Sequence, residues 1–405
     1  MKKIVLILSL LLFVVSGCKK NTNSAPDKEK FALPVWAWDA GGPMNLNNAP
    51  LPAIDDNNNS YYFIQFYNEP AVTLFSLNDE GKIRWKCPTA FYPGYSCSNS
   101  VILNNGNLYF YNQQIVFCYK RSDGTQVWKY QLNDRESIQD IVVKNGEVWI
   151  TYNDMANIEL AKLDAGGKLL WHKPCKNYLF ETGIAAYGNK LYILLYDVFD
   201  NRTDLVAVNI DSGNQLWKFV PDTNIAGEDL SVDGNGNVYY STYEGILLSV
   251  DGNSGSLRWQ YNPENEKSNR YLASGGVTIL PDNDVVFAAG PLICFDENGN
   301  EKWRSSVDSR LSFTLGNNNI LYGWGATLDV KLFAIDAATG EKLSIKFSTL
   351  DDDLKAGVFP PAITHTGKLI MAGVSKIHCI TSMSTSLEEN GWSKPGKGYE
   401  NNSVR

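Results

Sequence analysis

Short segments of alternating hydrophobic and polar residues recur along the chain, and Gly, Asn or Asp separates them. Asn107–Tyr111 and Asn237–Ser241 are typical, and each is followed by a second hydrophobic segment and then a polar turn. Alternation with a period of two indicates β-strands, and Gly or Asn supplies the positive φ that tight turns between strands require. The pattern predicts an all-β chain.

The strands and turns are organised around a repeated Gly-x-x-x-Trp motif. Six Trp residues, 43, 43, 46, 42 and 44 residues apart, stand in this motif: Trp85, Trp128, Trp171, Trp217, Trp259 and Trp303. A seventh unit keeps Gly340 but has Ser344 in place of the Trp. Four-stranded units of about 43 residues that close radially form a β-propeller. One Trp at one position of each blade suits packing between blades, so we expect these residues to be structural.

The number of units predicts eight blades of four-stranded antiparallel sheet. Seven units end near residues 88, 131, 174, 220, 262, 306 and 347, and an eighth begins at Pro360 but lacks a convincing outer strand. Pro34–Trp38 is an unassigned strand at the other end of the chain. Pairing it with the last unit closes the ring and removes an exposed sheet edge. Residues 34–405 are therefore predicted to form one monomeric propeller.

The amino terminus is typical of an exported protein. Lys2 and Lys3 precede an apolar run over residues 4–15, which is shorter than the roughly 20 residues that span a bilayer and resembles a secretory signal. Val15–Cys18 resembles the lipobox of bacterial lipoproteins, which implies removal of residues 1–17 and lipidation of Cys18. The alternative is an ordinary signal with an incidental Cys. Residues 18–33 are polar and predict a flexible tether, and Lys19 after the Cys implies sorting to the outer membrane.

Several units resemble the pyrroloquinoline quinone (PQQ) type of propeller repeat, A-x-D-x-x-x-G-x-x-x-W. Ala334–Gly340 matches its first half and Asp251–Trp259 its second. With the lipid anchor, the chain is similar to the propeller lipoprotein of the outer-membrane barrel assembly machinery. The same repeat builds quinoprotein dehydrogenases, a family that brings adjacent Cys-Cys and often C-x-x-C-H motifs, and this sequence has neither. We therefore expect no PQQ or other cofactor.

Candidate recognition residues lie between two cysteines of the first connection between blades. Cys87 and Cys97 flank this segment and could form a disulfide after export. The segment contains Phe91, Tyr92 and Tyr95, an aromatic group in a polar loop that suits a recognition patch.

Acidic residues at the start of successive inner strands are the second candidate site. Asp140, Glu181, Glu228 and Asp229 could line one mouth of the central channel and bind calcium, which prefers carboxyl and carbonyl oxygens. The alternative is that they are solvated loop charges. The sequence does not decide whether these residues bind a metal ion.

The net charge and the absence of familiar catalytic motifs argue against several classes of function. A formal net charge of −8 without a long basic tract argues against nucleic acid as a partner. No G-x-S-x-G, H-E-x-x-H or P-loop motif is present. The sequence favours a non-catalytic, membrane-anchored scaffold that binds envelope proteins. A surface module that binds carbohydrate is the main alternative, and a quinone- or calcium-dependent enzyme is the third.

Overall fold

The structure, a computed structural model, describes most of the repeat region. The described ranges are 30–44, 52–66, 71–89, 101–197, 199–222, 227–242, 244–263, 276–288, 290–309, 313–324, 332–343, 345–347 and 361–383. These ranges contain 34 β-strands, arranged in eight four-stranded antiparallel sheets and one two-stranded sheet. Within them there is no helix long and apolar enough to cross a membrane.

Each four-stranded sheet is one blade, with its strands in chain order from the centre outwards. Strands β1 (Lys30–Ala32) and β2 (Pro34–Asp39) come first. The first four blades are β3 (Ala53–Ile54), β4 (Ser60–Ile64), β5 (Thr73–Leu77) and β6 (Ile83–Pro88); β7 (Ile102–Asn104), β8 (Asn107–Tyr111), β9 (Ile115–Lys120) and β10 (Gln126–Gln131); β11 (Ser137–Lys144), β12 (Glu147–Asn153), β13 (Ile158–Leu163) and β14 (Leu169–Cys175); and β15 (Phe180–Tyr187), β16 (Lys190–Asp197), β17 (Arg202–Asn209) and β18 (Gln215–Phe219).

The remaining blades follow the same order, except that the outer strand of the last blade is β2, from the amino-terminal part of the chain. They are β19 (Gly227–Val232), β20 (Val238–Thr242), β21 (Leu247–Val250) and β22 (Leu257–Tyr261); β23 (Val277–Ile279), β24 (Val285–Ala288), β25 (Gly290–Phe295) and β26 (Glu301–Ser309); β27 (Thr314–Gly316), β28 (Ile320–Trp324), β29 (Leu332–Asp336) and β30 (Lys342–Leu343); and β32 (Ala362–Ile363), β33 (Lys368–Ala372), β34 (Lys376–Thr381) and β2.

The amino-terminal strand closes the ring. Strand β2 pairs antiparallel with β34, so that Trp36 lies opposite Cys379 and Trp38 opposite Ile377. This pairing confirms the predicted eight-bladed architecture. Strand β1, which the sequence assigns to the tether, pairs in parallel with β31 (Ile345–Phe347). The first described strand therefore lies within the segment that the sequence predicts as a tether.

The hydrophobic core consists of layers between neighbouring blades. Tyr61 and Phe63 of blade 1 pack with Phe110 and Phe117 of blade 2, and equivalent clusters follow around the ring. The second strand of each blade is central to this packing, and all five residues of β4 are buried. Since each sheet is covered on both faces by its neighbours, the core is distributed around the ring rather than gathered at one centre.

The repeated Trp and Gly residues meet across seven of the eight blade junctions, and the exception is the junction between blades 7 and 8, where Ser344 replaces the Trp. The Trp217 ring lies against Gly255 of the next blade, where a Cβ atom would stand 2.6 Å from the ring. Gly255 also has a φ of +72°, which favours Gly, and the Trp217 indole N–H donates to the Gly252 carbonyl at 3.3 Å. The same contact recurs for Trp36 and Gly81, Trp85 and Gly124, Trp128 and Gly167, Trp171 and Gly213, Trp259 and Gly299, and Trp303 and Gly340.

Candidate functional site

The two ends of the propeller carry different loops. One end, which we call the connection face, carries the links between blades and the hairpins between second and third strands. The opposite end, the turn face, carries the Gly turns that dock the Trp side chains. Loops on a rigid scaffold are the usual positions of binding residues. The connection face also has the more variable loops.

Three large apolar side chains are exposed on the connection face of blades 3 and 4. Met155 is 71% exposed, Phe180 51% and Phe199 84%. Met155 lies in the β12–β13 hairpin, Phe199 in the β16–β17 hairpin, and Phe180 begins β15. We call these three residues the blade 3–4 patch. The other large apolar side chains recorded as exposed lie on or beside β2 and the outer strands of blades: Leu33, Val35, Ile83, Val127, Leu169, Leu170, Leu216, Val220 and Leu257.

Polar side chains fix the backbone of the patch. The Met155 backbone N–H donates to the Asn153 carboxamide at 2.6 Å, and the Phe199 N–H donates to the Asp197 carboxylate at 2.9 Å. Met155 has a φ of 76°, a left-handed conformation that is costly for a side chain of this size. The Asn153 carboxamide also donates to the Leu179 carbonyl, which ties the blade 3 hairpin to the link that leads to Phe180. The exposed side chains therefore stand on ordered backbone.

A buried carboxylate organises the chain beneath the patch. Asp204 is fully buried and accepts hydrogen bonds from Arg202 Nε at 2.9 Å, from Lys218 Nζ at 3.1 Å and from the Tyr178 hydroxyl. Burial, followed by the hydrogen bond to Asp204, raises the pKa of Tyr178, which keeps its hydroxyl protonated and able to donate. Tyr178 is thus an anchor for the link between blades 3 and 4. Of the two aromatic residues near this link, only Phe180 faces solvent.

Several sequence-predicted residues fall outside the described residues. These are Cys18, Cys97, Phe91, Tyr92 and Tyr95. Cys87 is described and lies near the end of β6, half-buried, where burial raises the pKa of its thiol. Thr89 and Val101, which border the undescribed part of the first connection, lie in a link on the connection face. Lipidation, the disulfide and the aromatic recognition loop stay predictions.

The predicted channel acids lie beside irregularities of three successive inner strands. The pairing register shifts between Ile138 and Asp140 in β11. The equivalent shifts follow Glu181 in β15 and Glu228 in β19. Such β-bulges re-aim side chains and recur near functional sites. Asp229 also lies in the β19 bulge, but the side chains of Glu228 and Asp229 are outside the described part of the structure.

Asp140 and Glu181 are brought together by a shared neighbour. The Thr151 hydroxyl donates to Glu181 Oε2 at 2.8 Å and lies 3.2 Å from the Asp140 backbone nitrogen, which donates to it. Glu181 Oε1 is buried without a hydrogen-bond partner. Burial, and next the charge of Asp140, raises the pKa of Glu181 to about 8. Among the described residues, no group of three or more His, Cys, Asp or Glu is arranged to hold a metal ion.

The raised pKa of Glu181 makes stability depend on pH. The folded protein keeps a proton that the unfolded chain releases above the ordinary pKa of 4.5, so the free energy of unfolding falls as pH rises from 4.5 towards 8. Glu181→Gln removes this titration and should raise the free energy of unfolding at pH 8 by roughly 1–3 kcal/mol. Urea unfolding at pH 5 and pH 8 measures the difference. An unchanged pH dependence in the variant would show that Glu181 is ionised in the folded protein.

Comparison with known proteins gives the family. The sequence model of the family described as outer membrane protein assembly factor BamB matches residues 68–246 and 201–349, which together make up more than half of the chain. The chain belongs to this BamB family. BamB of Nitrosomonas eutropha is 28% identical over 159 residues, which is 37% of this chain and 37% of that protein.

Quinone-dependent enzymes also resemble this BamB family member. The dehydrogenase subunit of the quinone alcohol dehydrogenase of Gluconacetobacter polyoxogenes is 28% identical over 182 residues, 38% of this chain and 24% of that subunit. The chain therefore spans well under half the length of either of these two relatives in the aligned regions. This similarity covers the repeat and leaves the rest of the dehydrogenase subunit unmatched.

Solved structures share the fold at low identity. BamB from Moraxella catarrhalis superimposes with a TM-score of 0.52 at 11% identity, over 86% of this chain and 88% of that one. Quinohemoprotein alcohol dehydrogenase from Comamonas testosteroni gives 0.60 at 12% identity, over 87% and 76%. At these identities the likeness establishes the propeller fold alone.

The repeat pattern of the sequence does not identify Met155 and Phe199 as candidate binding residues. Both stand in hairpin loops among turn-forming residues, as in Asn153-Asp-Met-Ala-Asn157 and Asp197-Val-Phe-Asp-Asn201. A large apolar residue at the tip of a polar turn has no strand-packing role, and that is the signal that could have identified them. The periodic pattern predicts strands and the residues that pack within them, and it carries no information about hairpin tips.

Proposed function

We propose that this protein is a non-catalytic scaffold of the bacterial envelope, which binds an outer-membrane assembly protein through the blade 3–4 patch. The observation that carries the proposal is the exposure of Met155, Phe180 and Phe199 at the same end of two neighbouring blades. Exposed aromatic and Met side chains amid polar loops are enriched where proteins bind one another. Membership of the BamB family supports an assembly protein as the partner.

The order of the patch suits recognition of a folded partner. Its hairpins are held by side-chain caps, and the link between its blades is anchored through Tyr178 on Asp204. Binding to ordered side chains loses little conformational entropy, so a few aromatic contacts can supply most of the affinity. The predicted loop of Phe91, Tyr92 and Tyr95 belongs to the same face in this proposal and extends the surface.

Substitution of the patch tests the proposal. Phe180→Ser with Phe199→Ser should reduce partner capture from detergent-solubilised membranes by about tenfold or more, because exposed aromatic residues are frequent hot spots. The melting temperature should stay within a few degrees, since both side chains are already exposed. The matched control is Leu216→Ser with Leu257→Ser, where exposed apolar residues on outer strands are changed in the same way. Equal capture by both double variants would refute the proposed surface.

The proposed membrane anchor has its own test. Cys18→Ser should abolish incorporation of labelled palmitate and release the protein from the membrane fraction, because Cys18 carries all of the proposed acyl chains. A single chain binds a bilayer only marginally, so a multiply acylated Cys is what would retain the protein. Labelling of the variant at the wild-type level would contradict lipidation at this residue.

Two alternative functions have some support and different tests. A carbohydrate-binding role is favoured by a cavity of about 430 Å³ between blades 8 and 1, lined by Trp38, Phe66 and Phe75. Glycan-array binding that Trp38→Ala abolishes would establish it.

Similarity to quinone alcohol dehydrogenase subunits favours a quinone enzyme, and quinone absorbance in the purified protein would establish that role.

A further inference from the structure

A cleft opens between blades 3 and 4 on the circumference of the propeller. It has a volume of about 600 Å³, within the range of small-molecule sites. Lys173 and Cys175 of β14 form one wall, and Leu195 and Val206 of blade 4 belong to the other. The cleft is beside the outer strands, and none of the three exposed side chains of the blade 3–4 patch lines it.

One departure from the repeat explains why the cleft exists. Two residues after the Trp, the outer strands of most blades carry an apolar side chain that packs into the junction with the next blade: Trp38, Cys87, Tyr130, Phe219 and Tyr261. Blade 6 has the small, buried Ser305 at this position. Lys173 of blade 3 is the one charged residue at this position among the seven blades that carry the Trp, and blade 7, which has Ser344 in place of the Trp, has Lys346 there. A departure from a local rule that the other blades follow indicates a functional position.

The charges of the cleft favour an anion. Four cationic side chains and one carboxylate line it, in a protein whose net charge is −8: Lys173, Lys176, Arg202 and Lys218, with Asp197. Arg202 and Lys218 both pair with Asp204. Lys173 instead contacts the neutral Asn214 carboxamide, and neither Lys173 nor Lys176 makes an ion pair with the described residues. Two ammonium groups are therefore available for a ligand.

The rest of the wall is aliphatic. Leu160, Leu195, Val206 and Val208 line the cleft and are buried, and Pro174 lies at its edge. A ligand whose body enters the cleft therefore meets aliphatic side chains at its inner wall, which suits an apolar body better than an inorganic ion.

We propose that this cleft binds a small organic anion, which pairs its acid group with Lys173 and Lys176 and lays its apolar body on the aliphatic wall. Either a carboxylate or a phosphate can supply the charge, since a Lys ammonium binds both as a point charge. The patch residues Met155, Phe180 and Phe199 do not line the cleft, whereas Asp197 and Tyr178, which support the backbone of the patch, do.

Calorimetric titration of the purified protein in detergent tests the site. The probes are phenylacetate and phenyl phosphate, with uncharged benzyl alcohol for comparison. At least one anion should bind with a Kd of about 1 mM or tighter, and benzyl alcohol should bind at least about tenfold more weakly. The anion that binds more tightly identifies the acid group. Failure of both anions to bind, or equal binding of benzyl alcohol, would overturn the proposal.

Two variants distinguish the contribution of the Lys charges to anion affinity from that of the open cleft. Lys173→Tyr fills the cleft with the side chain that blades 2 and 5 have as Tyr130 and Tyr261, so anion affinity should fall at least about tenfold without loss of thermal stability. Lys173→Gln with Lys176→Gln keeps the cleft open and should cause a similar loss. The control, Lys129→Tyr, changes an exposed Lys on the outer strand of blade 2 and should bind as the wild type does. Wild-type affinity in the double Gln variant would overturn the assignment.

Discussion

Trp217→Ala is expected to lower the free energy of unfolding by roughly 3–5 kcal/mol, the range for deletion of a large packed aromatic side chain. The ring fills the space left by Gly255 and lies 5.8 Å from the ring of Tyr192, and its indole N–H donates to the Gly252 carbonyl. Because Trp217 is only half-buried, we expect the lower end of that range. Chemical denaturation monitored by circular dichroism measures the change.

Leu216→Ala is the matched control for this prediction. Leu216 is the neighbouring residue on β18 and is 47% exposed, so its truncation should cost less than about 1 kcal/mol. Trp259→Ala should reproduce the loss one blade further, since Trp259 contacts Gly299 in the same way. A Trp217→Ala variant that is fully stable but has lost ligand binding would mean that the Trp is a recognition residue.

Asp204→Ala is expected to cost roughly 2–4 kcal/mol. Asp204 is fully buried and is the shared acceptor for Arg202, Lys218 and Tyr178, so its removal leaves three donors without their partner. Deleting one member of a fully buried ion pair costs more, but the side chains of Arg202 and Lys218 are 21% and 36% exposed and can regain water. Urea unfolding at neutral pH measures the loss.

Asp211→Ala provides a surface ion pair for comparison. Its carboxylate is 77% exposed and lies 3.5 Å from Lys162, so its removal should change the free energy of unfolding by less than about 0.5 kcal/mol. Equal losses in the Asp204 and Asp211 variants would show that burial does not strengthen the Asp204 network.

The eight-bladed fold follows from local sequence signals. Gly255 and Trp217 illustrate why. The positive φ at Gly255 favours Gly, the Trp217 ring packs on the turn that contains it, and the same pair recurs at seven of the eight blade junctions. The unassigned strand at Pro34 predicts ring closure because a propeller cannot leave the last blade without its outer strand. Both features can be predicted from the sequence, because the Trp and Gly pair recurs along the chain and the strand at Pro34 completes the last unit.

The candidate sites depend on contacts that no periodic pattern encodes. Tyr178 lies in a link between blades, outside the strands, and is buried where Asp204, 26 residues further along the chain, accepts its hydroxyl hydrogen bond. The proximity of Asp140 to Glu181 similarly depends on the placement of Thr151 between blades. Lys173 is different, because comparison of the residue two positions after each Trp identifies it from the sequence alone.

Site-specific photocrosslinking in native outer membranes tests the scaffold proposal most directly. A photoreactive amino acid at Phe199, on the connection face, is compared with one at Asn300, in a Gly turn on the turn face. The proposal predicts a covalent adduct between position 199 and an outer-membrane assembly protein, lost in the presence of Phe180→Ser, and no such adduct at position 300. An adduct with an assembly protein from position 300 alone, or none from position 199, would contradict the proposed function.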